Sequence, residues 1–201
     1  MFTGIVEEIG RIRQLEEVSK TAVRLTIEAA VVLDDVQIGD SIAVNGICLT
    51  VTDADDDAFA VDVMPETIKA SSLRTLEEGS SVNLERSMPA NGRFGGHFVT
   101  GHVDGTGTIV GKTKQENAVY YTVDIPPELT DYFIMKGSVA VDGVSLTVFG
   151  ISGNEVTLSL IPHTVSQTVL GNKVEGDCVN VECDVLAKHV HHLVGKQHKQ
   201  N

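Results

Sequence analysis

Tryptophan is missing from this 201-residue chain, and aromatic residues of any kind make up only 4% of it. A core without large rings must be filled by aliphatic side chains, and 42% hydrophobic against 21% charged residues suits a soluble globular fold. Basic residues are also scarce: 15 Lys and Arg face 28 Asp and Glu, a net charge of −13. That balance speaks against a nucleic-acid backbone or an anionic membrane surface as partner, because both need clustered positive charge. The expected ligand is therefore a small molecule. No apolar run reaches the length of a membrane span, and the opening MFTGIVEEIG has no basic segment leading into an apolar one, so neither a span nor a secretory leader is expected. Cysteine is limited to Cys48, Cys178 and Cys183, an odd number without framework spacing. These read as reduced thiols of a cytoplasmic protein.

What the chain does contain is one pattern written twice. SIAVNGICLTV at residues 41–51 returns as SVAVDGVSLTV at 138–148, with seven of eleven positions identical. The same offset of 97 aligns TGIVEEIGRI from Thr3 with TGHVDGTGTI from Thr100, and MPETIKASSL from Met64 with IPHTVSQTVL from Ile161. It also aligns GSSVNLER from Gly79 with GDCVNVEC from Gly176. A period this long marks a duplicated domain, since solenoid repeats run to roughly 20–50 residues. Alternation in ICLTV, AVYYTVDI, EVTLSLI and CVNVECDV predicts short strands, and a short helix is expected after Pro65 and after Pro162. The expected fold is mainly all-β: two tandem six-stranded Greek-key barrels, residues 1–91 and 92–186, meeting near the Pro- and Gly-rich MPANGRFGG at 88–96. Val185, Leu186, His189, Val190 and Leu193 fall on one helical face, so a C-terminal helix with its tail, residues 187–201, is expected to serve oligomerisation. Packing on its own barrel is the other possibility.

Three motifs mislead. GTGTIVGKT at 105–113 misses the phosphate-loop spacing by one residue and sits among strand residues. DADDDA at 53–58 lacks the glycine and closing Glu of a calcium loop and reads as a hairpin tip. HVHH at 189–192 has no Cys or carboxylate beside it and reads as a solvated helix face.

Cys48 and Thr50 share a strand face, as do Ser145 and Thr147, while Ser41/Ser138 and Thr67/Thr164 are identical between copies. Small hydroxyl and thiol groups in place of the long polar side chains of a solvated face suit a lined pocket for a polar ligand. Ordinary β-propensity of Thr is the alternative. The blocks MFTGIVEE, GDSIAVNGICLTV, MPET, VNLER, RFGGHFVTGHVDG, GSVAVDGVSLTV and IPHT, in that order over nearly the whole chain, resemble the riboflavin synthase family.

The resemblance implies dismutation of two molecules of 6,7-dimethyl-8-ribityllumazine into riboflavin and 5-amino-6-(ribitylamino)uracil, a four-carbon transfer that uses no cofactor. It implies a homotrimer, a site between the N-terminal barrel of one subunit and the C-terminal barrel of another, and an association with lumazine synthase. The pockets it implies comprise Gly4, Ile5, Val6, Cys48, Leu49, Thr50, Asp62, Val63, Met64, Pro65, Glu66 and Thr67, together with Gly101, His102, Val103, Lys136, Ser145, Leu146, Thr147, Leu160, Ile161, Pro162, His163, Thr164 and Val165. Which barrel 4–6 and 101–103 line cannot be read from the sequence. Positions that agree between copies are expected to recognise the ligand. Those that differ (Ile5/His102, Gly39/Lys136, Asn45/Asp142, Cys48/Ser145, Ser87/Asp184) are expected to carry chemistry. The catalytic candidates are Ser41, Cys48, His102, Lys136, Asp142, Ser145, Thr147 and Asp184. His102 suits acid–base work near neutral pH, and Cys48 or a nearby water suits addition to C7 of a lumazine. Asp142 and Lys136 suit proton handling or anion stabilisation, with a structural salt bridge as the alternative. The rival reading is a non-catalytic lumazine- or flavin-carrying relative, an optical accessory in bioluminescence.

Overall fold

Alternation turns one face of each strand inward and closes the sheet on itself. In the computed structural model, which describes residues 1–19 and 22–198, strands β1 (Glu8–Ser19), β2 (Ala22–Glu28), β3 (Ser41–Val44), β4 (Ile47–Ala54), β5 (Ala58–Val63) and β6 (Ser81–Arg86) form a closed antiparallel barrel in the order β1-β2-β5-β4-β3-β6. The second copy repeats the ring with β7 (Gly105–Gln115), β8 (Ala118–Asp124), β9 (Ser138–Val141), β10 (Val144–Ser152), β11 (Glu155–Leu160) and β12 (Cys178–Cys183). GTGTIVGKT lies in β7, and the DADDDA tip is closed by Asp55, which accepts the N–H groups of Asp57 and Ala58.

Ile47, Leu49 and Val51 of β4 point into the first barrel, and Cys48 and Thr50 point out. The interiors are filled: the second barrel encloses only about 10 Å³ of free space among Ile109, Tyr121, Leu146, Leu158 and their neighbours. A small packed barrel has no room for a ring ligand, so a ligand must lie against the outer wall.

The expected helices are shorter than their sequence patterns. Helix α1 (Pro65–Ala70) stops at Ser71, whose hydroxyl donates to the Thr67 carbonyl at 2.6 Å and accepts the Leu73 N–H at 3.3 Å, opening a 3-10 turn over Ser72–Thr75. Helix α2 (Pro162–Gln167) ends beside Thr168, whose hydroxyl likewise donates to the Thr164 carbonyl, while the next N–H, of Val169, goes to Asn83 Oδ1. Side-chain competition for backbone groups explains both breaks.

The barrels meet across a pseudo-two-fold seam. The β3–β4 turn at Asn45-Gly46 and the β9–β10 turn at Asp142-Gly143 face each other with positive φ at all four residues. A Cβ on Gly46 would lie 2.6 Å from the Gly143 N atom, so only glycine fits there. Asn83 Nδ2 donates to the Asp142 carbonyl and Asn180 Nδ2 to the Asn45 carbonyl, each at 2.8 Å. Phe2, Ala43, Val99 and Ala140 form a small buried cluster of their own, with Cys48 packed against it.

Helix α3 (Val185–His198) starts two residues before the expected boundary because Asp184 caps it, accepting the Leu186 N–H at 2.9 Å. Lys188 bonds Asp104 at 2.9 Å, and the His191 ring meets the edge of Tyr132. Leu186, Val190 and Leu193 are each more than half exposed. The expected tail beyond residue 198 lies outside the described residues. Among the described residues no helix is long and apolar enough to cross a membrane.

Candidate functional site

The first blocks of the two copies are extended straps rather than strands, and they change places. Phe2 and Val99 exchange N–H···O=C bonds at 2.8 and 3.2 Å, holding the two segments side by side. Beyond that bridge each strap crosses to the opposite barrel. The Cys48 N–H on the first barrel donates to the Gly101 carbonyl at 2.9 Å, and the Ser145 N–H on the second donates to the Gly4 carbonyl at 2.8 Å. Val103 packs on the first core and Val6 on the second. Gly101 and Gly4 have φ of +80° and +76°, and a Cβ on either would stand 2.5 or 2.7 Å from the Cys48 or Ser145 Cβ. Both the turn and the close approach require glycine.

On the first barrel this arrangement makes a cavity of about 400 Å³ outside the wall, lined by Ile47, Cys48, Glu66, Thr67, Ala70, Ser71, Gly101, His102 and Val103. The β4 wall supplies the thiol, α1 the Thr67 and Glu66 side, and the strap from the other copy the rest. Ser41 and Thr50 pair across β3 and β4 further along the outer wall, where Ser41 opens on a second depression of about 490 Å³ with Ile5, Arg86, Ser87 and Arg93. Leu49 and Val63 point into the core; Met64 is exposed and Pro65 starts α1. Asp62 faces outward in a bidentate pair with Arg24 at 2.8 and 3.0 Å.

The equivalent wall of the second barrel differs. Ser145 Oγ lies 2.7 Å from His97 Nδ1, and the His97 N–H donates to the Thr3 carbonyl, so residues 96–97 fold over Ser145 and the strap together. His97 is 8% exposed and its Nε2 has no hydrogen-bond partner. Burial holds its pKa below the usual histidine range, opposed by the nearby Asp184 carboxylate, so the ring is neutral at neutral pH. Cys48 has no such histidine. His97 was not among the sequence candidates, because comparing the copies overlooks a residue that the 97-residue offset leaves unpaired; the signal available was a lone His in RFGGHFVTG, beside the strap. Thr147 pairs with Ser138 on the outer wall, Thr164 and Val165 lie half-buried on α2, Ile161, Pro162 and His163 are exposed, and Leu146 and Leu160 belong to the core.

Lys136 and Asp142 stand at the two ends of β9 and are not ion-paired with each other. Lys136 has φ +65°, where its counterpart Gly39 has +98°, and both donate their N–H across to β10 or β4. A left-handed conformation costs a lysine about 1–2 kcal/mol that a glycine avoids. Asp142 lies in the seam rather than in a pocket wall. It is fully buried, its Oδ1 accepts the Asn180 N–H at 2.8 Å, and Lys173 Nζ stands 3.5 Å from an Oδ2 that accepts no hydrogen bond. The salt bridge expected as the alternative thus exists, but with Lys173. Burial pushes the Asp142 carboxyl up to about 6, with Lys173 pulling the other way. Burial likewise pushes the Cys183 thiol up to about 12, which makes it unreactive. Among the described residues no group of three or more His, Cys, Asp or Glu is placed to hold a metal.

Comparison with known proteins matches the duplicated fold. The lumazine binding domain model fits residues 3–87 and again 100–184, one match per copy. Riboflavin synthase of Bacillus amyloliquefaciens is 56% identical over 98% of this chain and 91% of its own length. That of Mycobacterium tuberculosis is 46% identical over 96% of this chain and 98% of its own. Among solved structures, LumP in complex with 6,7-dimethyl-8-(1'-D-ribityl)lumazine superposes with a TM-score of 0.82 at 28% identity, over 91% of this chain and 99% of LumP. LumP bound to riboflavin gives 0.83 at 29%. Two matched domains in one chain, and this degree of identity from end to end, place the chain in the riboflavin synthase family.

Proposed function

We propose that this chain is a riboflavin synthase, converting two molecules of 6,7-dimethyl-8-ribityllumazine into riboflavin and 5-amino-6-(ribitylamino)uracil. The observation that carries the reading is the pair of equivalent outer walls, one presenting Cys48 and the other a Ser145 held by His97. A reaction between two copies of one molecule needs two sites that bind alike and react differently. One lumazine loses a proton from its 7-methyl group and becomes the nucleophile; the other is attacked by it and gives up four carbons. Every atom of the two substrates reappears in the two products. Gathering both reactants removes a large part of the barrier of a bimolecular step, worth roughly 7–11 kcal/mol when the geometry is good.

Cys48, or a water beside it, is assigned to addition at C7 of the acceptor, and the exposed His102 ring on the same pocket rim to proton transfer. On the other wall Ser145 and the neutral His97 are placed to move a proton at the hydroxyl. Lys136, kept in a conformation that favours glycine, is assigned to the anion formed from the 7-methyl group. Ser41, Thr50, Thr67, Thr147 and Thr164 are assigned to recognition of the substrate. Glu66 lines the Cys48 pocket, Asp184 stands near His97, and Asp62 and the α2 start at Ile161–Val165 are assigned to the rims of the two sites.

The two walls lie on different barrels with the seam between them, so the productive encounter is proposed to join the first barrel of one subunit to the second barrel of another. The exposed apolar face of α3, over a groove of about 650 Å³ with Tyr132 and Ile134, is proposed as the contact that holds a homotrimer. A cytoplasmic location and an association with lumazine synthase belong to the same reading. Incubating the purified protein with the lumazine and following riboflavin fluorescence over a range of protein concentrations tests it. Turnover that rises with assembly is expected. Tight lumazine binding without turnover would favour instead a carrier of the kind that the LumP complexes represent.

A further inference from the structure

We infer that Glu182 and Glu85 are positioning residues, each holding the strap that lies against the wall of the barrel to which it does not belong. The inference rests on the proposed assignment of the Cys48 and Ser145 walls as the two lumazine sites. Glu182 sits on β12 of the second barrel and is 3% exposed. Its Oε1 accepts the Thr100 N–H at 2.6 Å and the Thr100 hydroxyl at 2.7 Å, and its Oε2 accepts the Gly101 N–H at 2.9 Å. Gly101 passes the constraint on, since its carbonyl takes the Cys48 N–H on the first barrel at 2.9 Å. Glu85 on β6 repeats the arrangement with the Thr3 N–H at 2.7 Å, the Thr3 hydroxyl at 3.1 Å and the Gly4 N–H at 3.0 Å. The Gly4 carbonyl in turn takes the Ser145 N–H.

Three donors converge on each carboxylate, the pattern of an anion that accepts and never donates. A glutamine would set its own N–H₂ against one of those donors, so the strap would have to shift. The effect of such a shift is crossed: loosening Glu182 moves Gly101, His102 and Val103, which wall the Cys48 cavity of the first barrel. A clamp serving only its own barrel would disturb the second barrel and leave Cys48 alone.

Cys48 itself reports the difference. In the full-length protein carrying Cys178→Ser, with Cys183 buried, iodoacetamide has Cys48 as its accessible target. Glu182→Gln is expected to speed Cys48 alkylation by roughly threefold or more, while Glu85→Gln leaves that rate within about 1.5-fold, because local opening is confined to the released strap. Thr100→Val, which keeps the shape and deletes one donor to Glu182 together with the acceptor of the His102 N–H, should move Cys48 in the same direction by less, and carries the test if Glu182→Gln does not fold. Thr3→Val is its control. Equal effects of the Glu182 and Glu85 variants on Cys48, or no effect of Glu182→Gln and Thr100→Val, would overturn the inference. A crossed effect on Cys48 together with unchanged lumazine binding would uphold the positioning and remove the Cys48 wall as a lumazine site.

Discussion

Cys48 and Asp142 show how differently two copy-specific residues can be used. The thiol stands in an open pocket beside His102, and replacing it by the hydroxyl of its own counterpart is the mildest chemical test. Cys48→Ser should cut riboflavin formation roughly tenfold or more with little change in lumazine binding, because a serine hydroxyl is the weaker nucleophile. Turnover near that of the parent would end the nucleophilic assignment. Asp142 governs the seam through its charge. Its folded pKa of about 6 lies above the ordinary 3.8, so the folded state binds the extra proton. The stability it contributes is therefore complete below about pH 4 and is lost as pH rises through 6. Asp142→Asn removes that dependence. Between pH 7.5 and pH 5 the parent should gain about 1–1.5 kcal/mol relative to the variant, by the linkage of proton binding to folding. Thermal unfolding at the two pH values measures it, and parallel curves would show that Asp142 does not titrate in this range. An aspartate in a copy-specific position looks the same in sequence whether it faces a ligand or a second barrel. For that reason its place in the seam was illegible, whereas Cys48 could be assigned to the outer face from alternation alone.

At the scale of elements, strands and barrel closure were largely legible. Period-two alternation in ICLTV and EVTLSL sorts side chains inward and outward with no knowledge of partners. The helix ends were less so, because the Ser71 and Thr168 hydroxyls cut short runs that propensity would continue. The exchange of straps left no trace at all: a constant offset reveals that Gly4 and Gly101 are equivalent, not which barrel each one touches. Its consequence is specific. Gly101→Ala adds a Cβ 2.5 Å from that of Cys48 at φ +80°, a backbone cost of about 1–2 kcal/mol before any clash. It should damage the Cys48 pocket, seen as altered alkylation of that thiol. Gly4→Ala should instead disturb the Ser145 wall and leave Cys48 reactivity as it was. If both variants act on Cys48 alike, the straps do not cross in solution.

For the whole molecule, α3 is an element whose apolar face the described residues leave uncovered. Removing the residues after Leu186 deletes Val190, Leu193 and the Tyr132–His191 contact while sparing both barrels and their cores. The truncated protein should keep its circular dichroism, dissociate in analytical ultracentrifugation, and lose activity in proportion, since an inter-subunit site depends on assembly. An active monomer would refute the shared site. The crossing straps also set an order of events during synthesis. Residues 2–6 leave the ribosome well before their seat beside Ser145 is made. Until then the opening strap can be held only through its own copy, by Glu85 and by the Met88 N–H bond to the Met1 carbonyl. The first barrel likewise waits for residues 100–103 before its pocket is complete. The first copy by itself therefore lacks the strap that finishes its Cys48 pocket.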